Sequence, residues 1–345
     1  MIYLLCTGTT ACSVLNRPLT WPSSAEPVVG FRSLFKSGHL RLYDWCMRFF
    51  ESGGVRLSVI GLGTWQFGSR EWGYGRTYAS TTAEQLVIRA AELEINLVDT
   101  AEMYAGGESE RILGKAIIGD RDRYFVATKF APFLPLPSVL VSRSYRSAAR
   151  LGISRIDLLQ MHWPNPFLPV SVQIRGMATV LERGLAKNIG VSNYSLSQWL
   201  SAEKSLGHPI ISNQVHYSLL SRRADRELVP YAQAHDRLVI AYSPLEQGAL
   251  TGKYGLDNRP GGVRRLNKHL KSGGIAKAMP LMSALAEVAK ANSASISQIA
   301  LAWLVSQPNV VAIPGASSVA QLESNAAAAD LELSRAAWDH LSSFK

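Results

Sequence analysis

The sequence predicts one (β/α)8 barrel, and three observations lead there. Eight short apolar runs alternate with amphipathic helical stretches. The early runs recur at roughly thirty residues, the length of one strand, one helix and their loops, so they are parallel strands joined by right-handed crossovers. Three successive runs also stop at residues able to do chemistry: Asp99, Lys129 and His162. Parallel strands put their carboxyl ends on one side, which in a barrel is where active sites sit. A doubly wound open sheet is the second choice for the same alternation.

Residues 1–46 stand apart from this pattern. They lack a clear amphipathic period, hold only Glu26 and Asp44 as acids, and scatter Pro18, Pro22, Pro27, Gly30 and Gly38. The apolar start has no basic segment ahead of it and is broken by Thr and Gly, which argues against a secretory signal. We read 1–46 as an N-terminal extension, disordered or not native, with Met47 as an alternative start. Residues 47–345 are then a single barrel.

From Phe49 a hairpin leads to the first barrel strand, Leu57 to Trp65, and a glycine-rich loop carrying Trp72, Tyr74 and Tyr78. Helix Thr82–Glu94, with Leu86, Ile88, Ala90 and Leu93 apolar, precedes strand two, Asn96–Asp99. Helix Ser109–Ile118 precedes strand three, which ends at Lys129. A loop with Pro132, Pro135 and Pro137 enters a helix that ends near Gly152. Strand four ends at His162, and Pro164 and Pro166 force an extended exit. Helix Val170–Arg183, strand Lys187–Asn193, helix Leu196–Leu206, strand Ile210–Gln214, helix Asp225–Ala234 and strand Leu238–Tyr242 follow. The loop from Ser243 to about Gly274 is long enough to be a functional lid. Helices Leu281–Ala291 and Ile296–Val305, strand Val310–Ile313, helix Ser318–Ala328 and an outer helix Ser334–Phe344 complete the reading.

A barrel of about 250 residues or more is one domain, so the 345-residue length forces no split. With 47% apolar and 18% charged residues the chain is neither disordered nor membrane-embedded, and no run of about 20 apolar residues offers a span. The net charge of +10 would suit nucleic acid only if clustered. Its densest sets, Arg143/Arg146/Arg150 and Arg264/Arg265/Lys268/Lys271, carry no interleaved aromatics, so we expect no nucleic-acid partner and read a few of these groups as serving an anionic cofactor. All three cysteines, Cys6, Cys12 and Cys46, precede the barrel. It therefore needs no disulfide and no thiolate-bound metal, and suits the reducing cytoplasm.

Asp99, Tyr104, Lys129 and His162 gather at one barrel mouth. A cation beside a phenol lowers its pKa, a carboxylate holds that cation in place, and an imidazole orients the oxygen to be protonated. Such a set protonates a carbonyl as its carbon receives an electron pair. No side chain donates hydride, so a nicotinamide cofactor is implied. Taken singly, each residue has an ordinary explanation: a satisfied histidine, a capping aspartate, a snorkelling lysine, a packed tyrosine. Their joint placement carries the reading.

The runs Ile60–Trp65, Val98–Tyr104, Ala127-Thr128-Lys129, Met161-His162, Gly190–Tyr194, Tyr242–Leu245 and Ile313-Pro314-Gly315 resemble the aldo-keto reductase superfamily from Met47 to the C-terminal helix. The resemblance implies an NADPH-dependent aldehyde or ketone reductase, monomeric or weakly homo-oligomeric, with Tyr104 as general acid, Lys129 as its tuner, Asp99 as the lysine's partner and His162 orienting the carbonyl. It implies Ser192, Asn193 and Gln214 on the nicotinamide carboxamide and Tyr242 stacked on the ring. It places Ser243, Leu245, Gln247 and Lys253 on the pyrophosphate, with Thr64, Trp65, Asp99, Pro244 and Arg264 also beside the cofactor. Gly315, Ser317, Gln321 and Asn325 would take the adenosine end at a helix N-terminus.

Three departures matter. Ser317 stands where many relatives pair the 2′-phosphate with Arg or Lys, which leaves NADH possible and makes Arg264 or Arg265 the substitute. Ser324 stands where glutamate is common. Ala105 replaces a common glycine, acceptable if its φ is negative. Trp65, Trp72, Tyr74 and Trp163 as pocket walls point to small aromatic or heteroaromatic aldehydes, pyridoxal among them. The alternatives are an NADPH-binding regulatory subunit with little turnover and a Schiff-base aldolase acting through Lys129.

Overall fold

Eight parallel strands close into a ring in the computed structural model, which describes residues 46–52, 54–75 and 80–344, all within one unit, Asp44–Lys345. An antiparallel hairpin comes first, β1 (Phe49–Ser52) with β2 (Val55–Ser58). The ring follows as β3 (Leu62–Gly63), β4 (Leu97–Asp99), β5 (Phe125–Phe130), β6 (Ile156–Met161), β7 (Ala186–Ser192), β8 (Ser212–His216), β9 (Leu238–Tyr242) and β10 (Val310–Ala312), each beside the next in chain order. Parallel bridges Ile60↔Ala312 and Gly63↔Gly315 join the last strand to the first and remove both open edges. At this seam a Cβ on Gly63 would stand 2.7 Å from the Ile313 carbonyl oxygen, so only glycine fits.

Ten helices surround the ring among the described residues: α1 (Ser80–Glu92), α2 (Glu108–Ile117), α3 (Pro137–Leu151), α4 (Val170–Glu182), α5 (Leu196–Leu206), α6 (Leu228–Ala234), α7 (Ser272–Ala291), α8 (Ile296–Val305), α9 (Val319–Ala327) and α10 (Arg335–Ser343). Their starts are legible chemically. Ser195 and Ser295 each form a reciprocal capping box with a glutamine three residues on, satisfying two backbone donors at once. The main core lies between the ring's outer face and these helices. A second cluster fills the ring: Leu97, Leu158, Ile240 and Val311 meet Val55 and Leu57 of β2, so the hairpin packs against the barrel's interior.

The structure corrects several expected boundaries. The run Leu57–Trp65 is two elements. Val59 N donates to Arg48 O in the hairpin while Val59 O accepts from Ala312 N in the ring, so the chain changes sheet there. The helix before α8 begins at Ser272, not Leu281, and runs through Pro280. Ile275, Ala278, Leu281, Ala284 and Leu285 form a buried stripe that outweighs two glycines and a proline. Residue 225 sits in a 3-10 turn, Arg223–Arg226, before α6. Strand six starts at Ser212, not Ile210. The long loop after β9 is folded into three short turns, Glu246–Thr251, Gly262–Leu266 and Lys268–Leu270. The expectations for residues 1–45 and for Tyr78 lie outside the described residues. Among those described, no helix is long and apolar enough to cross a membrane, and no cluster of His, Cys, Asp and Glu could hold a metal.

Candidate active site

Strand ends β4, β5 and β6 bring the expected four side chains together at the carboxyl end of the ring. Lys129 is fully buried, and each of its three protons has an acceptor: Asp99 Oδ1 at 2.5 Å, Thr100 O at 2.9 Å and the Tyr104 hydroxyl at 3.0 Å. Asp99, also buried, accepts at Oδ2 from Gln214 Nε2 at 2.7 Å and Gln160 Nε2 at 3.4 Å. A buried charge pair persists only when its remaining lone pairs and protons are satisfied, and here they are. The His162 ring stands edge-on to Tyr104, with centroids 5.8 Å apart, and stacks on Trp163 at 3.9 Å. Its Nδ1 is buried without a hydrogen-bond partner.

The electrostatics differ from the expected picture in one respect. Burial pushes the Tyr104 phenol up, Lys129 pulls it down, Asp99 adds to the rise, and the net pKa lies above the ordinary phenol value. Lys129 therefore offsets part of the burial penalty without bringing the phenol below its usual range. Burial depresses Lys129, but Asp99 and then Tyr104 more than compensate, and it is firmly charged. Burial, with Lys129 close by, holds His162 down to about 3, so the imidazole is neutral at pH 7.

A cleft of about 830 Å³ opens above this cluster. Thr64, Trp65, Asp99, Tyr104 and His162 line it, while Lys129 lies beneath Tyr104 and does not. The Thr64 hydroxyl is already committed to Asp99 O at 2.9 Å, so this residue braces the site. Ser192, Asn193, Gln214 and Tyr242 form one connected wall: Ser192 Oγ donates to Gln214 O, Asn193 Nδ2 to His162 O and Ser192 Oγ, and the Tyr242 hydroxyl to Asn193 Oδ1. Ser243, Pro244, Leu245 and Gln247 line the next stretch with Lys253 and Arg264. Ser243, Glu246, Gln247 and Gly248 all have positive φ, a tight run whose concavity and neighbouring cations suit an anion. Gly315, Ser317, Gln321, Ser324 and Asn325 line the far end, at the start of α9.

The geometry bears on two of the departures. Arg264 lies over the Trp72 ring at 5.0 Å and bridges the long loop to the loop after β3, while Arg265 stands outside the cleft. Ala105 has φ +47 and is followed by Gly106 and Gly107 at +65 and +87, so the negative φ that would make alanine an easy replacement for glycine is not what the turn adopts. The turn that aims Tyr104 needs three consecutive left-handed residues, and alanine accepts the strain. Trp72 and Trp163 line the cleft with Trp65, whereas Tyr74 packs against the core.

Sequence reasoning missed Gln160 and the pair His216 and Glu246. His216 Nε2 lies 2.7 Å from Glu246 Oε1, out of line for a good hydrogen bond, and its ring stacks under Tyr242 at 5.4 Å. Burial would raise the Glu246 pKa, but His216 together with Ser218 and Ser221 brings it down to about 2. A glutamine late in the buried strand Ile156–Met161, beyond Asp157, was the available signal for Gln160.

The model of the Aldo/keto reductase family matches residues 59–345. An uncharacterized oxidoreductase of Mycobacterium tuberculosis is 52% identical over 296 residues, covering 86% of this chain and 92% of its own. The chloroplastic pyridoxal reductase of Arabidopsis thaliana is 34% identical, covering 84% of each chain. A Klebsiella pneumoniae aldo-keto reductase solved in complex with NADPH superposes with a TM-score of 0.71 at 27% identity, covering 86% of this chain and 95% of that one.

Proposed function

The chain belongs to the aldo/keto reductase family of oxidoreductases, and from that membership we propose that it reduces an aldehyde or ketone to the alcohol with NADPH, Tyr104 supplying the proton. NADPH when bound supplies the hydride. Ser192, Asn193 and Gln214 would hold its carboxamide: the Gln214 amide donates one hydrogen bond to Asp99 and leaves Oε1 to accept. The Tyr242 ring would cover one face and leave the other to substrate. The loop Ser243–Gln247 with Lys253 would take the diphosphate, and Ser317, Gln321 and Asn325 the adenosine end.

The observation that carries the reading is the Lys129 ammonium shared among Asp99, Thr100 O and the Tyr104 hydroxyl. Because burial raises its pKa, Tyr104 stays protonated at neutral pH and keeps its proton until a developing alkoxide needs it. The phenolate left behind is then stabilised by the ammonium 3.0 Å away. Neutral His162 can donate a hydrogen bond to the same carbonyl oxygen without competing as an acid.

The test is oxidation of NADPH, with NADH in parallel, by the full chain against a panel of aldehydes and ketones. Turnover with at least one carbonyl, preferring NADPH and lost in Tyr104→Phe, is expected. Tight NADPH binding with no turnover of any panel member would favour a regulatory subunit instead.

A further inference from the structure

Beside the cleft, part of the surface is apolar. Met103 and Trp163 line the cleft next to Tyr104 and His162, yet are 44% and 40% exposed. Phe133, Leu134 and Phe167, further along the neighbouring loops, are 67%, 68% and 90% exposed. These residues come from the loops that leave β4, β5 and β6, three neighbours in the ring. The loops are tied to one another. Ala131 N and Arg143 both bind the Glu102 carboxylate, Arg143 also donates to Phe133 O at 2.9 Å, and Asn165 Nδ2 donates to Pro132 O at 2.8 Å. The local charges, Glu102 and Arg143, are thereby spent on each other beneath the surface. Leu134 also holds φ +46, a strained conformation for a branched side chain, while presenting that side chain to solvent. Elsewhere the cleft wall presents polar side chains, among them Ser192, Asn193, Gln214, Gln247 and Lys253.

Exposed apolar side chains gathered on loops tied together beside a cleft mark something that covers them. The strip begins at the walls of the catalytic cleft itself, so its occupant is the remainder of the molecule whose carbonyl reaches Tyr104. Resting on the reductase reading above, we propose that the preferred substrates are aldehydes or ketones with an extended, uncharged apolar body that leaves the cleft between Met103 and Trp163 and lies across Phe133, Leu134 and Phe167. This departs from the small aromatic aldehydes expected from the tryptophans alone.

The test is a straight-chain series from butanal to decanal with NADPH and the full chain, against the variant Phe133→Ser/Leu134→Ser/Phe167→Ser. A body lying on an open strip gains roughly half of a fully buried methylene, so kcat/KM should rise about twofold per carbon, through KM rather than kcat. In the variant the rise should stop beyond hexanal, with butanal kinetics and melting temperature unchanged, because these side chains are exposed. Good turnover of short aldehydes with no chain-length slope would overturn this inference and leave the reductase reading standing. A slope that survives the triple substitution would put the body elsewhere and also overturn it. Failure to turn over any carbonyl would instead remove the underlying reading. A concentration-dependent dimer that the triple substitution abolishes would assign the strip to a second copy of the chain, against the proposal.

Discussion

Replacing Lys129 by methionine separates what the buried cation does for stability from what it does for chemistry. The variant leaves the Asp99 carboxylate buried and held only by Gln214 at 2.7 Å and Gln160 at 3.4 Å, with a thioether where the ammonium stood. Removing one member of a buried ion pair costs about 3–5 kcal/mol. For a folded unit of roughly 300 residues, with an unfolding entropy of about 2.1 cal/mol/K per residue, that lowers Tm by about 5–8 °C. The chemical loss has a different origin. With the cation gone, the burial that raises the Tyr104 pKa is unopposed, and kcat should fall by about 10²- to 10⁴-fold, the range that general acid catalysis contributes. Adding Asp99→Asn removes the stranded charge while keeping a carbonyl for Gln214. Scanning calorimetry should then show most of the lost Tm recovered, while NADPH oxidation stays at the level of the single variant. Near wild-type turnover in Lys129→Met, or recovery of turnover in the double variant, would refute the coupling between ammonium and phenol.

Tyr104→Phe should lower kcat by about 10²- to 10⁴-fold with NADPH affinity, read from nucleotide fluorescence, nearly unchanged; wild-type turnover would remove Tyr104 from the chemistry. His162 is held neutral by the fold, with its pKa depressed to about 3 from 6.5, so its contribution to stability is complete above pH 6.5 and is lost as pH falls toward 3. Tm should therefore drop on acidification between pH 6.5 and 4.5, before the Glu246 carboxylate begins to lose its own contribution on the way down to about 2, and His162→Gln should flatten that part of the profile. Ala105→Gly relieves a left-handed alanine and should raise stability by about 1 kcal/mol; an unchanged or lower Tm would show that the turn is unstrained. Gly63→Ala drives a methyl group to 2.7 Å from the Ile313 carbonyl and should destabilise by about 1–3 kcal/mol, with an unaltered Tm counting against the tightness of the seam.

The catalytic cluster was legible because parallel strands buried on both faces read as largely apolar runs, and a charged or titratable residue ending such a run must be partnered or functional. Asp99, Lys129 and His162 each ended one, and the structure joins Asp99 to Lys129 directly and sets His162 beside Tyr104. What escaped was information held in the backbone or across long separations. The φ of Ala105 is dictated by a turn of three left-handed residues, which side-chain chemistry does not reveal. Glu246 lies in the long loop after β9, and its partner His216 ends the strand before that, β8, thirty residues earlier. Tyr74 and Trp72 are two residues apart in one loop, yet one packs inward and the other lines the cleft. Pro280 would end a helix in isolation, but a buried stripe on both sides of it carries α7 through.

The join between Ile60–Gly63 and Ala312–Gly315 also bears on how the protein is made. Gln66 Nε2 bonds Ala316 O at a sequence separation of 250, so the ring cannot shut on the ribosome until nearly all of β3 through β10 has emerged. Until then the nascent sheet presents two raw margins, one at each end of the growing row of strands, and those margins invite pairing with other chains. Newly synthesised copies are thus most prone to aggregate late in translation, and holding them apart in that interval should raise the yield of native protein more than any added stability of the finished barrel.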